Sequence, residues 1–201
     1  MNERTERAQL NLQQGTYSAS GEGLDYAFYD SQRIDVAILQ HRFFVNPVGQ
    51  PMTDGTIKNL SHTNMISAGM PQGSKMVARS IGLIYVSEGL TNNAGFQAIV
   101  DLLANTVMSV KIPGKDTILQ LTLLHMLGWN MSQILVPTVA GDQINTNVLS
   151  TVNKEYKLNV PIVLAAQTQF EIFVEHTAAP AAALDGDQLR LFIRGKLKRL
   201  S

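Results

Sequence analysis

Four histidines are the residues of this chain best suited to proton transfer or to holding a transition metal, because imidazole changes charge close to neutral pH. His41, His62, His125 and His176 lie far apart in sequence, with no His-x-His pair and no His-Glu-x-x-His motif. Spacing therefore specifies no metal site, and each reads as a structural histidine. The absence of cysteine removes thiolate ligands, thiol nucleophiles and disulfides. Asp185 and Asp187 flank Gly186, which fits a calcium loop but more simply a β-turn. "GEGLDY" begins like a dinucleotide loop yet lacks the third glycine and the strand-to-helix context. No Gly-x-Ser-x-Gly elbow is present, and the 16 acidic residues are too evenly spread to single out a hydrolytic pair. The expectation is a chain with no catalytic centre, metal or cofactor.

The other chemically distinctive stretch is basic. "DQLRLFIRGKLKRLS" closes the chain with no acid after Asp187. Leu189, Leu191, Ile193, Gly195 and Leu197 share one parity, while Arg190, Arg194, Lys196 and Lys198 share the other with Phe192. Strand side chains alternate between faces, so this pattern predicts a strand with one apolar and one basic face. A nucleic-acid tail has no reason to keep that alternation. The balance of 16 basic and 16 acidic residues, net charge zero, likewise gives no strong signal for nucleic-acid binding by charge neutralisation.

These residues need elements to position them. Residues 1–23 read as an N-terminal arm, polar, mixed in charge and poor in apolar side chains. They carry no apolar signal-peptide core, and no stretch of the sequence is long and apolar enough to span a bilayer, so the chain reads as soluble. Residues 24–201 read as one domain. "RIDVAILQHRFFV" predicts the first strand, and "NPVGQPMTDG" a loop with an Asp-Gly turn. "SKMVARSIGLIYVSEG" predicts a second strand, rich in β-branched and aromatic residues. "TNNAGFQAIVDLLANT" predicts the one helix, capped by Thr91 or Asn92 and lying as a lid over one end, with Phe96, Ile99, Val100 and Leu103 at helical spacing.

"VMSVKIPGKDTILQLTLL" predicts two strands around a Pro-Gly turn. Residues 116–128 satisfy both helix and strand templates, and the leucine alternation tips them toward strand. "EYKLNVPIVLA", "TQFEIFVEHT" and "DQLRLFIRGKLKR" predict three more strands, the first marked by Pro161 as an edge or bulged strand. About eight strands of varied length, long connections, one short helix and no fixed repeat predict an all-β fold, a single jelly-roll β-sandwich.

The loop before the second strand is unexpectedly apolar. Met65, Ile66 and Met70 sit where polar residues are usual, which makes them candidates for a subunit interface. Charged residues are only 16% of the chain, low for an enzyme of this size.

Two stretches resemble a known family. "TNMISAGMPQGSKMVARSIGLIYV" and the ending "FEIFVEHTAAPAAALDGDQLRLFIRGKLKRL", with Arg-Gly-x-Leu-x-Arg in its last strand, are similar to jelly-roll capsid proteins of tailless icosahedral bacteriophages. The chain has room for one roll, so it resembles the single jelly-roll capsid or vertex proteins. That resemblance implies a virion structural protein, located in the capsid, whose partners are copies of itself and other virion proteins, and which performs no catalysis. Two other readings stay open on the residues alone. One is a carbohydrate- or receptor-binding sandwich using Trp129, Tyr17, Tyr26 or Tyr29; the other is a jelly-roll enzyme using the histidines.

Overall fold

A computed structural model describes residues 23–86, 93–112, 117–126 and 155–199. Among the described residues eight strands form two four-stranded antiparallel sheets. In chain order these are β1 (Leu24–Arg33), β2 (Gln40–Phe43), β3 (Ser74–Val86), β4 (Thr106–Lys111), β5 (Leu119–Thr122), β6 (Tyr156–Leu164), β7 (Glu171–His176) and β8 (Gln188–Arg199). One helix, α1 (Asn93–Ala104), lies between β3 and β4. Short 3-10 turns cover Leu123–Met126 and Ala182–Leu184.

The first sheet has the order β1-β8-β3-β6 and the second β2-β7-β4-β5. Strand β1 pairs with β8, β2 with β7, β3 with β6 and β4 with β5, all antiparallel. This is the connectivity of one long antiparallel ribbon wound around a common core, which is the jelly roll. The β3–β8 and β4–β7 ladders then close each sheet.

Alternation sets the core. From β8, Leu189, Leu191 and Ile193 turn inward; from β4, Met108 and Val110; from β7, Ile172 and Val174. In β3 the parity changes midway: Met76 and Ala78 are buried, then Ile81, Leu83 and Tyr85. The register accounts for it. Ala78 faces Gly195 and Ser80 faces Arg194, so Arg79 is the extra residue of a β-bulge. The same interruption falls on β6, where pairing with β3 jumps from Ile162 to Lys157, past Pro161. β6 is a sheet edge, as Pro161 requires. Helix α1 buries Ile99, Leu102 and Leu103 in the same core cluster and contacts both 3-10 turns.

Two glycines of the first sheet are dictated by close approach. A β-carbon on Gly195 would lie 2.0 Å from the Val77 carbonyl oxygen. One on Gly82 would lie 1.9 Å from the Phe192 ring, which rests on the outer face of the sheet at that point.

The structure corrects the sequence reading in three places. The strand expected from "RIDVAILQHRFFV" is mostly not strand: Arg33 ends β1, and after it only Gln40–Phe43 pairs. Asp35 accepts the Ala37 N–H at 2.8 Å and its carbonyl accepts the Ile38 N–H at 3.0 Å, so this Asx turn competes with the ladder and bends the chain. Second, the first strand among the described residues is β1, Leu24–Arg33, which the hydrophobic pattern does not predict. Third, the described part of residues 116–128 divides, with strand at Leu119–Thr122 followed by a 3-10 turn at Leu123–Met126. Thr91 and Asn92, the proposed helix caps, lie outside the described residues.

Candidate functional site

The basic row of β8 lies on the outer face of the first sheet, and most of its cations are committed to neighbours. The Arg190 Nε donates to Ser31 Oγ at 2.9 Å and its Nη2 to the Ser61 carbonyl at 2.5 Å, while the guanidinium sits 5.5 Å from the Tyr29 ring centre. Arg194 forms an ion pair with Glu155 and lies 5.6 Å from the centre of Phe192. Glu155 also accepts the Ser80 hydroxyl at 2.5 Å. Lys196 reaches Asp25 at 3.1 Å, one strand away on β1 and directly opposite in register. Lys198 stands opposite Lys75 of β3. The row therefore stitches β1, β3 and β8 to each other and to the β2–β3 loop. Acids from β1 and from just before β6 cancel part of its charge. Such exposed pairs each contribute about 0–1 kcal/mol, and the face stays net basic, since Lys75 of β3 and Lys157 of β6 lie on it as well.

The β2–β3 connection, residues 44–73, is long but tied down. Lys58 is fully buried and donates to both oxygens of Asp30 in β1, at 2.7 and 2.8 Å. Asp30 also accepts the Phe44 N–H at 2.7 Å. Burial pushes the Asp30 carboxyl up and the Lys58 ammonium down, each opposed by the partner's charge. Further along, Asn64 donates to the Ala27 carbonyl at 2.8 Å and accepts the Tyr29 N–H at 2.9 Å, and Thr63 bridges to Asp30. The loop thus covers the free edge of β1.

This arrangement corrects the placement of two of the three candidate interface residues. Met65 and Met70 are each 2% exposed and belong to the core cluster: the loop folds over the sandwich and sends them inward, where unbranched thioethers fill irregular space. Ile66, between them in sequence, is 87% exposed. Ile57 and Leu60 of the same loop are also exposed, and the sequence reading had not singled them out. No pattern identifies Asp30 or Lys58 either, since a buried lysine in a polar loop has no local signature.

The remaining chemical candidates resolve as follows. Asp187 is buried and accepts the Tyr85 hydroxyl, and burial with that carboxylate beside it pushes the Tyr85 phenol far up. Asp185 is exposed and reaches the Val36 N–H at 3.4 Å. The two carboxylates serve different partners around a turn at Gly186, whose φ is +85°, so the Asp-Gly-Asp triplet is a turn. Tyr26 packs against the core, and the Tyr29 hydroxyl donates to the Leu60 carbonyl at 2.5 Å; Tyr17 and Trp129 lie outside the described residues. His62 accepts the Asn59 N–H at 3.2 Å, and His125 bonds Thr122 Oγ1 at 2.5 Å.

His41 and His176 are brought together, which sequence could not show. They occupy inward positions of β2 and β7, with ring centres 5.2 Å apart at 73°. Burial holds both imidazoles down at about 4. His41 is lowered further by His176, while Asp35 and Asp54 act in the opposite sense. Among the described residues no group of three His, Cys, Asp or Glu side chains is arranged to hold a metal, and no helix is long and apolar enough to cross a membrane.

No protein-family model, no curated protein and no solved structure matches this chain. The class defined by its own geometry is therefore that of a single jelly-roll β-sandwich with a rigidly anchored β2–β3 loop.

Proposed function

We propose that this chain is a structural virion protein, which assembles with copies of itself into an icosahedral capsid shell and performs no catalysis. The observation that carries the reading is the strand order, β1-β8-β3-β6 over β2-β7-β4-β5, the arrangement that viral capsid domains share with lectins and cupins. Topology alone leaves those functions open, and the surface favours assembly among them. The β2–β3 loop exposes Ile57, Leu60 and Ile66 on a scaffold held by a buried ion pair, which pre-organises an apolar contact for association. In this reading residues 1–23 exchange between subunits, and the partners are other copies and other virion proteins.

Size-exclusion chromatography with light scattering, on the full chain and on a variant lacking residues 1–23, tests it. The full chain is expected to form large oligomers and the truncated chain to remain folded and unassembled. Unaltered oligomers from the truncated chain would remove the arm from the account.

A further inference from the structure

We infer that His41 and His176 form an acid-sensitive latch, holding the corner where β2, β7, β4 and α1 meet while both rings are neutral and releasing it when either takes up a proton. The inference stands on the interior of the sandwich and is independent of what the chain assembles with.

The hydrogen-bond chain fixes the proton on His176. Thr106, at the start of β4, donates its hydroxyl to the Leu102 carbonyl in the last turn of α1. A threonine has a single hydroxyl proton, so at the 2.7 Å contact between Thr106 Oγ1 and His176 Nδ1 the imidazole must be the donor. Nδ1 carries the hydrogen, and Nε2 is a bare lone pair. That Nε2 is buried with no hydrogen-bond partner, and so are both ring nitrogens of His41. A second proton on either ring would place an N–H and a positive charge in the interior, at nitrogens that have no hydrogen-bond partner, beside another imidazole. Taking up that charge inside costs far more than in water, and opening the corner relieves the cost.

The surroundings offer little compensation. His41 shares β2 with Arg42, and His176 shares β7 with Glu171 and Glu175; by strand parity all three charged residues point to the outer face, where Arg42 pairs with Glu171 at 2.5 Å. Lys111 of β4 is on that outer face as well, over Phe173 at 4.1 Å. The acids whose field reaches His41 are Asp35 and Asp54, in loops. Asp35 is already bonded to the Ala37 N–H, and Asp54 to the backbone and hydroxyl of Thr56 at 2.9 and 2.8 Å.

The corner is also where several backbone ties converge. The His176 N–H donates to the Leu39 carbonyl at 2.8 Å, and the Thr177 N–H to the Asn105 carbonyl at 2.9 Å. Displacing the His176 ring therefore loosens β7 from the turn before β2 and from the end of α1 together.

The sign follows from linkage. Both histidines bind protons less tightly folded than unfolded, so their contribution is fully present above about pH 6.5. It is lost as pH falls through the window from about 6.5 to about 4. Between pH 7.5 and pH 5 each histidine should raise the unfolding equilibrium constant by roughly 30-fold, and the two together by roughly a thousandfold. Urea unfolding at the two pH values, for the native chain and for His41→Phe and His176→Asn, reads this directly. Each variant is expected to lose about 30-fold of the pH effect, His176→Asn keeping a donor toward Thr106. Should a variant fail to fold, amide exchange and ring NMR on the native chain decide. The His176 and Thr177 amides should lose protection on acidification before those of Leu191 and Ile193, and both rings should stay neutral to below pH 5. Rings titrating near 6.5, or a pH effect identical in native and variant chains, would overturn the latch.

Discussion

Lys58 is the clearest case of a single side chain on which a large segment depends. It is fully buried with Asp30 and joins the β2–β3 loop to the first strand. Removing one partner leaves an uncompensated buried charge, so Lys58→Met should cost about 3–5 kcal/mol in urea unfolding. Replacing both partners with apolar residues should recover part of that loss, because the pair's own desolvation disappears with it. A Lys58→Met protein of native stability would show that the pair does not anchor the loop. Gly195 makes a similarly local demand. Its missing β-carbon lets β8 approach the Val77 carbonyl, and backbone cannot swing aside as a side chain can. Gly195→Ala should lower the melting temperature by several degrees, on the order of 1–3 kcal/mol of overpacking. A neutral result would mean that the two strands separate easily there. None of this was legible in the sequence. Asp30 and Gln32 are polar residues in an inward row that begins with Tyr26 and Phe28, and that mixture is what hid β1 from a reading based on hydrophobic alternation.

At the scale of elements, alternation was informative wherever one face is apolar. β8 shows it most fully: Leu189, Leu191 and Ile193 are core, and the basic residues share the outer face with Phe192. Leu191→Ala should therefore cost about 2–5 kcal/mol by cavity formation, whereas a double-mutant cycle on Arg194 and Glu155 should return less than about 1 kcal/mol. A coupling well above that would mean the basic face is a stability device. β3 carried a subtler message. Its inward parity shifts at Arg79, so the bulge was visible as a phase change between Met76, Ala78 and Ile81, Leu83, Tyr85. The misread segment, Ile34–Leu39, is apolar and alternating, and only the Asx turn at Asp35 tells it apart from a strand. Local side-chain competition for backbone donors is invisible to a periodicity argument. The same limit explains Met65 and Met70: a loop tied by a long-range ion pair can bury residues that loop composition would leave in solvent.

For the whole molecule, the fold class followed from strand count, connection length and the lack of βαβ alternation, and the sheet order completes it as a jelly roll. Pairings such as β1 with β8 join the two ends of the domain, so they rest on contacts that no local window contains. The histidine pair is of the same kind, created only when β2 and β7 become neighbours. A sandwich with a covered β1 edge and a pinned loop bearing Ile57, Leu60 and Ile66 is suited to association through surfaces already fixed before contact. Ile66→Asp, at an 87% exposed site, should leave melting unchanged within about 0.5 kcal/mol yet weaken oligomers on size exclusion. Intact oligomers would exclude that residue from the contact. The central claim, a jelly-roll subunit made to pack against its own copies, is tested most directly by electron microscopy of the purified full-length chain. Closed particles or regular rings of one repeating subunit are the expected result. Uniform single molecules at every concentration tried would contradict it.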